Sequence, residues 1–189
     1  MQVLRSGNYK TMPWKNGGGV TTEIAIFPPD AGLADFDWRI SMATVAEDGP
    51  FSVFSGIDRT LSIVEGAGME LSVAARSAVV LDQQSDPFAF AGDAVTSAIL
   101  TAGPIVDLNV MARRGRIAAT VRRVHAGEKI IFPAGASLLL CHQGELGLAE
   151  DGRMHALHAL DGLRHDGTAP LACALVGDGT AFLISFSAI

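Results

Sequence analysis

Three stretches of the 189-residue chain carry side chains suited to holding an acid. The first is Met12-Pro13-Trp14-Lys15-Asn16-Gly17-Gly18-Gly19-Val20. Successive glycines reach backbone angles closed to other residues, and their N–H groups can converge on an anion. Lys15 adds a positive charge, Asn16 two donors and an acceptor, and Trp14 a flat apolar wall; a plain turn leading into a strand is the alternative reading. The second stretch is Trp38-Arg39-Ile40-Ser41-Met42-Ala43, which as a strand puts Arg39, Ser41 and Ala43 on one face. In the third, Gly56 to Ile63, Arg59 shares a face with Leu61 and Ile63, while further on Asp107, Asn109 and Met111 form one face of their own strand. A guanidinium aligned with apolar strand residues points inward, where it needs a paired anion or a ligand. Pairing with Asp58, Asp107 or Glu65 at a barrel mouth would satisfy it without any ligand.

Other chemistries find less support. His155-Ala156-Leu157-His158 has a spacing that suits two ligands on a helix, yet no flanking carboxylate or further histidine completes a zinc motif. Arg153 to Leu163 reads as a loop or short surface turn, and His125, His142 and His165 are isolated. Cys141 and Cys173 lack CxxC spacing and read as buried thiols, not as a disulfide or zinc ligands. The chain has no Gly-x-Ser-x-Gly elbow, no phosphate-binding P-loop and no dinucleotide fingerprint, because its triple glycine precedes a strand and opens no helix. No cofactor and no metal are expected.

What must position these residues is a set of short strands. The 21 glycines and 8 prolines punctuate runs rich in Val, Ile, Leu, Thr and Phe, the signal of an all-β sandwich or barrel. No long 3.6-residue period occurs, so little helix is expected. Thr60 to Gly66 matches Leu138 to Gly144, each a strand running into a glycine turn and a second short strand. The chain therefore reads as two copies of one β unit, divided near Gly115. With 49% apolar and 18% charged residues it is not disordered. Its densest apolar patches, Ser77 to Leu81 and Ala134 to Cys141, fall far short of the ~20 residues of a membrane helix. Twenty acidic against 14 basic residues, a net charge of -6, leave no basic footprint for nucleic acid. The first residues lack the apolar core of a secretory leader, so the cytoplasm is the expected address.

Four motifs in register carry a resemblance: Met12 to Gly19, Trp38-Arg39-Ile40-Ser41, Gly49-Pro50-Phe51-Ser52-Val53-Phe54-Ser55-Gly56-Ile57-Asp58-Arg59, and Asp107-Leu108-Asn109-Val110-Met111. Together they resemble the HutD/Ves family over residues 1 to about 116, with a looser second half. Ser55 stands where that family usually carries proline. The resemblance implies a cupin-like fold, a double-stranded β-helix or β-barrel with two halves in one chain (a bicupin). Residues 1–115 would hold a ligand pocket and residues 116–189 would form the second half, the two packed as one compact unit. It also implies a cytoplasmic bacterial protein linked to histidine utilisation, whose partner is a small acidic metabolite of that pathway, N-formylglutamate or urocanate.

Metal-binding cupins carry His-x-His, then Glu, then Gly, and a later His. Counting back from Gly66 puts Arg59 in the glutamate slot, with Val53, Ser55 and Val95 in the histidine slots; in the second half the slots fall on Ile131, Pro133, Ser137 and His165. A cation in the glutamate position repels a metal, so the resemblance implies a metal-free anion site centred on Arg59. There Arg59 would take a carboxylate and Arg39 or Lys15 a second acidic group. Asn16, Ser41 and Asn109 would read neutral polar atoms, Trp14 would form a wall, and Gly17 would lie in the loop beside them. The expected function is non-catalytic binding of a small acid that regulates or buffers histidine utilisation. The alternatives are a metal-independent isomerase or hydrolase acting on a small carboxylic acid, with Lys15 or His165 as acid–base group, and an interaction module. Exposed sheet edges would allow a homodimer.

Overall fold

The computed structural model describes residues 1–14, 19–150 and 152–189. Among them the chain is almost wholly β, with one 3-10 turn at Ser6–Asn8. The strands are β1 (Gln2–Leu4), β2 (Lys10–Pro13), β3 (Gly19–Phe27), β4 (Trp38–Val45), β5 (Gly49–Pro50), β6 (Ile57–Glu65), β7 (Met69–Val73), β8 (Val79–Leu81), β9 (Phe88–Ala91) and β10 (Thr96–Leu100). They continue as β11 (Ile105–Arg113), β12 (Ile117–His125), β13 (Lys129–Phe132), β14 (Gly135–Gln143), β15 (Leu146–Glu150), β16 (Arg153–Leu157), β17 (Gly162–Gly167), β18 (Leu171–Gly177) and β19 (Thr180–Ala188).

Two compact units divide the chain: Lys10–Ile117, and Met1–Tyr9 together with Ala118–Ile189. The division lies close to Gly115, and residues 1–9 group with the later strands. Val3 pairs with Leu163, and β1 thereby covers the edge of β17 in the second unit, while Met1 and Val3 pack on that unit's apolar core. An open sheet edge and an apolar core outweigh chain proximity in deciding where a short segment settles.

The first unit has sheets ordered β2-β3-β4-β11-β6-β9 and β5-β10-β7-β8; the second has β1-β17-β14-β19-β12 and β13-β18-β15-β16. Adding eight to each label of β4-β11-β6-β9 gives β12-β19-β14-β17, and the same shift converts β5-β10-β7-β8 into β13-β18-β15-β16. The fold is one eight-stranded arrangement built twice. Thr60 to Gly66 and Leu138 to Gly144 fall on equivalent strands, each reaching a glycine at positive φ (+88° at Gly66, +69° at Gly144).

Alternation explains the smaller sheets. In β7, Met69, Leu71 and Val73 are buried while Glu70 and Ser72 face out, which places one face against the larger sheet. Leu61, Ile63, Met69, Leu71, Ala98 and Phe90 join into the core of the first unit. Leu139, Cys141, Leu148, Leu163, Leu175 and Leu183 do the same in the second. Both cysteines are free and buried.

The loop expected from Arg153 to Leu163 is instead the strand β16 and the start of β17. β16 pairs with β15 through Leu146↔Leu157 and Glu150↔Arg153. Its inward positions are His155 and Leu157, and His155, 5% exposed, places Nε2 3.0 Å from Glu150 Oε2. A histidine satisfied by a carboxylate stands where an apolar residue would have revealed the alternation.

Candidate functional site

The register of the large sheet in the first unit gathers the polar residues. Met111 on β11 lies between Arg39 on β4 and Arg59 on β6; one step along, Asn109 lies between Ser41 and Leu61, and the next row is Ala43, Asp107 and Ile63. Side chains two apart on a strand share a face, so these rows line the barrel interior together with Leu61 and Ile63 of the core. A bulge in β3 sets Glu23 opposite Ser41 and Ile26 opposite Arg39, leaving Ile24 unpaired. That extra residue brings Glu23 onto the inner face, where its Oε2 accepts a 2.8 Å hydrogen bond from Arg39 Nε.

Arg59 is 5% exposed. Its Nη2 donates to Asn109 Oδ1, and Asn109 Nδ2 donates in turn to Asp107 Oδ1 at 2.6 Å. Three aromatic rings surround the guanidinium, with its carbon 4.9 Å from the centroid of Phe51, 5.3 Å from Phe90 and 6.0 Å from Phe54. Such faces attract a cation without neutralising it. Arg59 Nε and Asp107 Oδ2 are both buried and without a hydrogen-bond partner among the described residues. Desolvation pulls the Arg59 guanidinium down to about 10, with Asp107 opposing the shift and Arg39 adding to it. The same desolvation pushes the fully buried Asp107 carboxyl up to about 6, against the pull of Arg59, of the Asn109 hydrogen bond and of the Ala43 backbone.

Above this row lies a cavity of about 520 Å³, within the usual range for small-molecule sites. Arg39, Ser41, Arg59 and Asn109 reach it from the sheet, and Trp14, Phe51 and Phe54 form apolar walls. Trp14 is fixed by a 2.8 Å hydrogen bond from Nε1 to Thr21 Oγ1. Its backbone N–H donates to Gly19 O at 2.9 Å. A Cβ at Gly19 would stand 2.2 Å from Thr44 O and 3.0 Å from the Trp14 ring, so only glycine lets the indole lie this close to the sheet.

Five of the residues singled out from sequence thus meet at one cavity: Trp14, Arg39, Ser41, Arg59 and Asn109. Lys15, Asn16 and Gly17 lie outside the described residues. Of the proposed partners of Arg59, Asp58 is exposed and accepts from Arg114 at 2.8 Å, Glu65 is exposed, and Asp107 is reached through Asn109. Counting for histidine slots misplaces two positions, since Val53 and Val95 are 58% and 73% exposed. Strand pairing instead sets Phe90 opposite Arg59, as it sets His165 opposite Ser137 in the second unit. Sequence reasoning missed Glu23, displaced onto the face by the bulge, and the aromatic ring set. Phe51 and Phe54 belong to the stretch Phe51-Ser52-Val53-Phe54, which has no strand period to orient it; its phenylalanine pair was the available signal.

A metal, as many cupin barrels hold, does not fit this interior. No group of three or more His, Cys, Asp or Glu side chains converges among the described residues, and the position that would need a ligand carries the Arg59 cation.

The HutD family model matches residues 6–183. This chain belongs to the HutD family. It is 34% identical to a 21.2 kDa protein encoded in the hutC 3' region of Pseudomonas putida, over 90% of both chains. It is 43% identical to protein Ves of Citrobacter koseri over 110 residues, 58% of this chain and 56% of that one. Among solved structures, HutD from Pseudomonas fluorescens SBW25 superposes with a TM-score of 0.87 at 34% identity, covering 100% of this chain and 98% of that one. A cupin 2 conserved barrel domain protein from Leptotrichia buccalis, 13% identical, superposes with a TM-score of 0.61 over 94% of this chain and 96% of its own. At that identity the likeness concerns the fold alone, and it makes this HutD-family fold cupin-like. Among the described residues no helix is long and apolar enough to cross a membrane.

Proposed function

We propose that this HutD-family protein is a non-catalytic binder of a small carboxylic acid, held in the metal-free cavity of its first unit. The observation that carries the reading is Arg59, a buried cation facing a cavity, surrounded by rings and holding one side-chain hydrogen bond among the described residues. A ligand carboxylate would use its remaining donors in a paired, charge-assisted contact. Arg39, already paired with Glu23, would orient a second polar group beside Ser41, and Trp14 and Phe51 would cover the apolar part of the ligand. The family and the hutC neighbourhood of the Pseudomonas putida relative support an acid of histidine breakdown, N-formylglutamate or urocanate, and a role in regulating or buffering that pathway. Catalysis has less support: the sequence pairs neither Lys15 nor His165 with an activating neighbour.

Titration calorimetry of chelator-treated protein with N-formylglutamate and with urocanate tests this. Binding is expected, and Arg59→Ala should weaken it by about 2 to 5 kcal/mol, roughly 30- to several-thousand-fold. Equal affinity in the mutant removes Arg59 from the site, and turnover of either compound makes the protein an enzyme.

A further inference from the structure

The interior of the first unit holds one more acid than a binding site for acids would be expected to carry. Asp107 is wholly buried, does not line the cavity, and lies behind Asn109, which bridges it to Arg59. The groups facing it can be named element by element. β4 presents Ala43, Ser41 and Arg39; β6 presents Ile63, Leu61 and Arg59; β3 presents Thr21 and Glu23. Across the barrel, Met69, Leu71, Val73 and Ala98 are apolar. Among the described residues the charges are therefore Arg59, Arg39, Glu23 and Asp107 itself, and Glu23 already neutralises Arg39.

Among the described residues one uncommitted cation, Arg59, thus faces one buried carboxylate through a single amide. A second carboxylate arriving at Arg59 would leave two anions around one cation in a low-dielectric interior, and like charges so placed do not both stay ionised. The ligand's carboxyl, with an ordinary value near 4, keeps its charge more readily than a buried side chain.

We propose, resting on the reading that the cavity binds a carboxylate, that the ligand replaces Asp107 as the counter-charge of Arg59, and that Asp107 takes up one proton from solvent as it does so. No bond to the ligand forms. One carboxylate binds and one proton moves from buffer to Asp107, on the oxygen Oδ2 that the Asn109 amide does not occupy. The elevated ordinary state of Asp107, near 6 in the ligand-free protein, places this exchange within the physiological range. Asn109 is the positioning residue of the exchange, since its amide turns one group to each side.

Calorimetry of the wild-type chain with N-formylglutamate, in paired buffers of different ionisation enthalpy, reads the proton directly. The expected result is uptake approaching one proton per ligand near pH 7, with affinity falling about tenfold per pH unit between about pH 6 and about pH 8. Asp107→Asn should bind with an affinity that is flat over that range and take up no proton. Binding in the wild type with no buffer dependence and a flat profile overturns the exchange while the binding reading stands. Undiminished proton uptake in Asp107→Asn also overturns it. Failure of N-formylglutamate, urocanate and concentrated acetate to bind at any pH overturns both together. The wild-type measurement decides the matter even if the variant does not fold.

Discussion

The two copies of the eight-stranded unit differ most at the same positions of the same strands. Where β6 and β11 place Arg59, Asn109 and Asp107 on the inner face, β14 and β19 place Ser137, Leu183 and Ala181. Around these, the second unit packs Leu139, Cys141 and Leu163 into a continuous apolar core, whereas the first surrounds a cation with rings below a cavity. Since the apolar version folds into the same strand order, the polar one is not a requirement of the architecture. Groups that break the pattern of a fold without serving it are where function is to be sought.

The interior of the second unit can be imposed on the first. Arg59→Ser, Asn109→Leu and Asp107→Ala together should still fold, because removing all members of a buried ionic network costs far less than removing one. The triple variant should lose carboxylate binding by more than about 1,000-fold, the range of about 4 kcal/mol and above. Circular dichroism with calorimetry checks both halves of that statement; a triple variant that binds as the parent does would make the two interiors functionally alike.

A second substitution sharpens the contrast from the other side. Leu139→Ala, in the apolar core of the second unit and 0% exposed, should cost about 2 to 5 kcal/mol of stability by transfer and cavity terms. Urea melts would read that loss, and ligand affinity at moderate temperature should be unchanged. An affinity loss of comparable size would show that the second core is part of the binding apparatus.

Acidity should distinguish the interiors next. Asp107 titrates at about 6 in the folded chain and near 4 when unfolded, so the folded state is the one that holds the proton between those values. With respect to this group, stability is fully present below about pH 4 and declines as pH rises through about 6, by up to about 3 kcal/mol. Comparing melts of the wild type and Asp107→Asn across that window isolates the contribution. A difference that stays constant with pH would mean that Asp107 binds its proton alike in the folded and unfolded chain. The smallest effect expected is that of Phe51→Leu, which keeps an apolar wall but removes one ring facing Arg59. Ligand affinity should change by only about 0.5 to 2 kcal/mol, measurable by calorimetry; a loss as large as that of Arg59→Ala would assign Phe51 a direct ligand contact.

Much of this was legible in the order of residues, for reasons that differ by element. The inner-face placement of Arg59, Asn109, Arg39 and Ser41 was legible because a strand alternates, so an arginine in step with Leu61 and Ile63 has to face the core. The duplication was visible because two strands and their glycine turn recur at equivalent places. What stayed hidden depended on distance and on irregularity. Phe90 meets Arg59 only through pairing between β6 and β9, and the bulge in β3 shifts Glu23 by one place without any mark in composition. The strand β16 was concealed by His155, polar in type but buried through Glu150.

The short strand β1 has a consequence for the order of events as the chain is made. Gln2, Val3 and Leu4 find their partners at Arg164, Leu163 and Gly162, and Arg5 reaches Asp161 at 2.6 Å. A ribosome adding about 5 to 20 residues per second has passed the whole first unit before any of these partners exists. Gln2 to Leu4 therefore wait, unpaired, while Lys10–Ile117 can already close on its own contacts, and a strand made before the whole first unit is seated only after it.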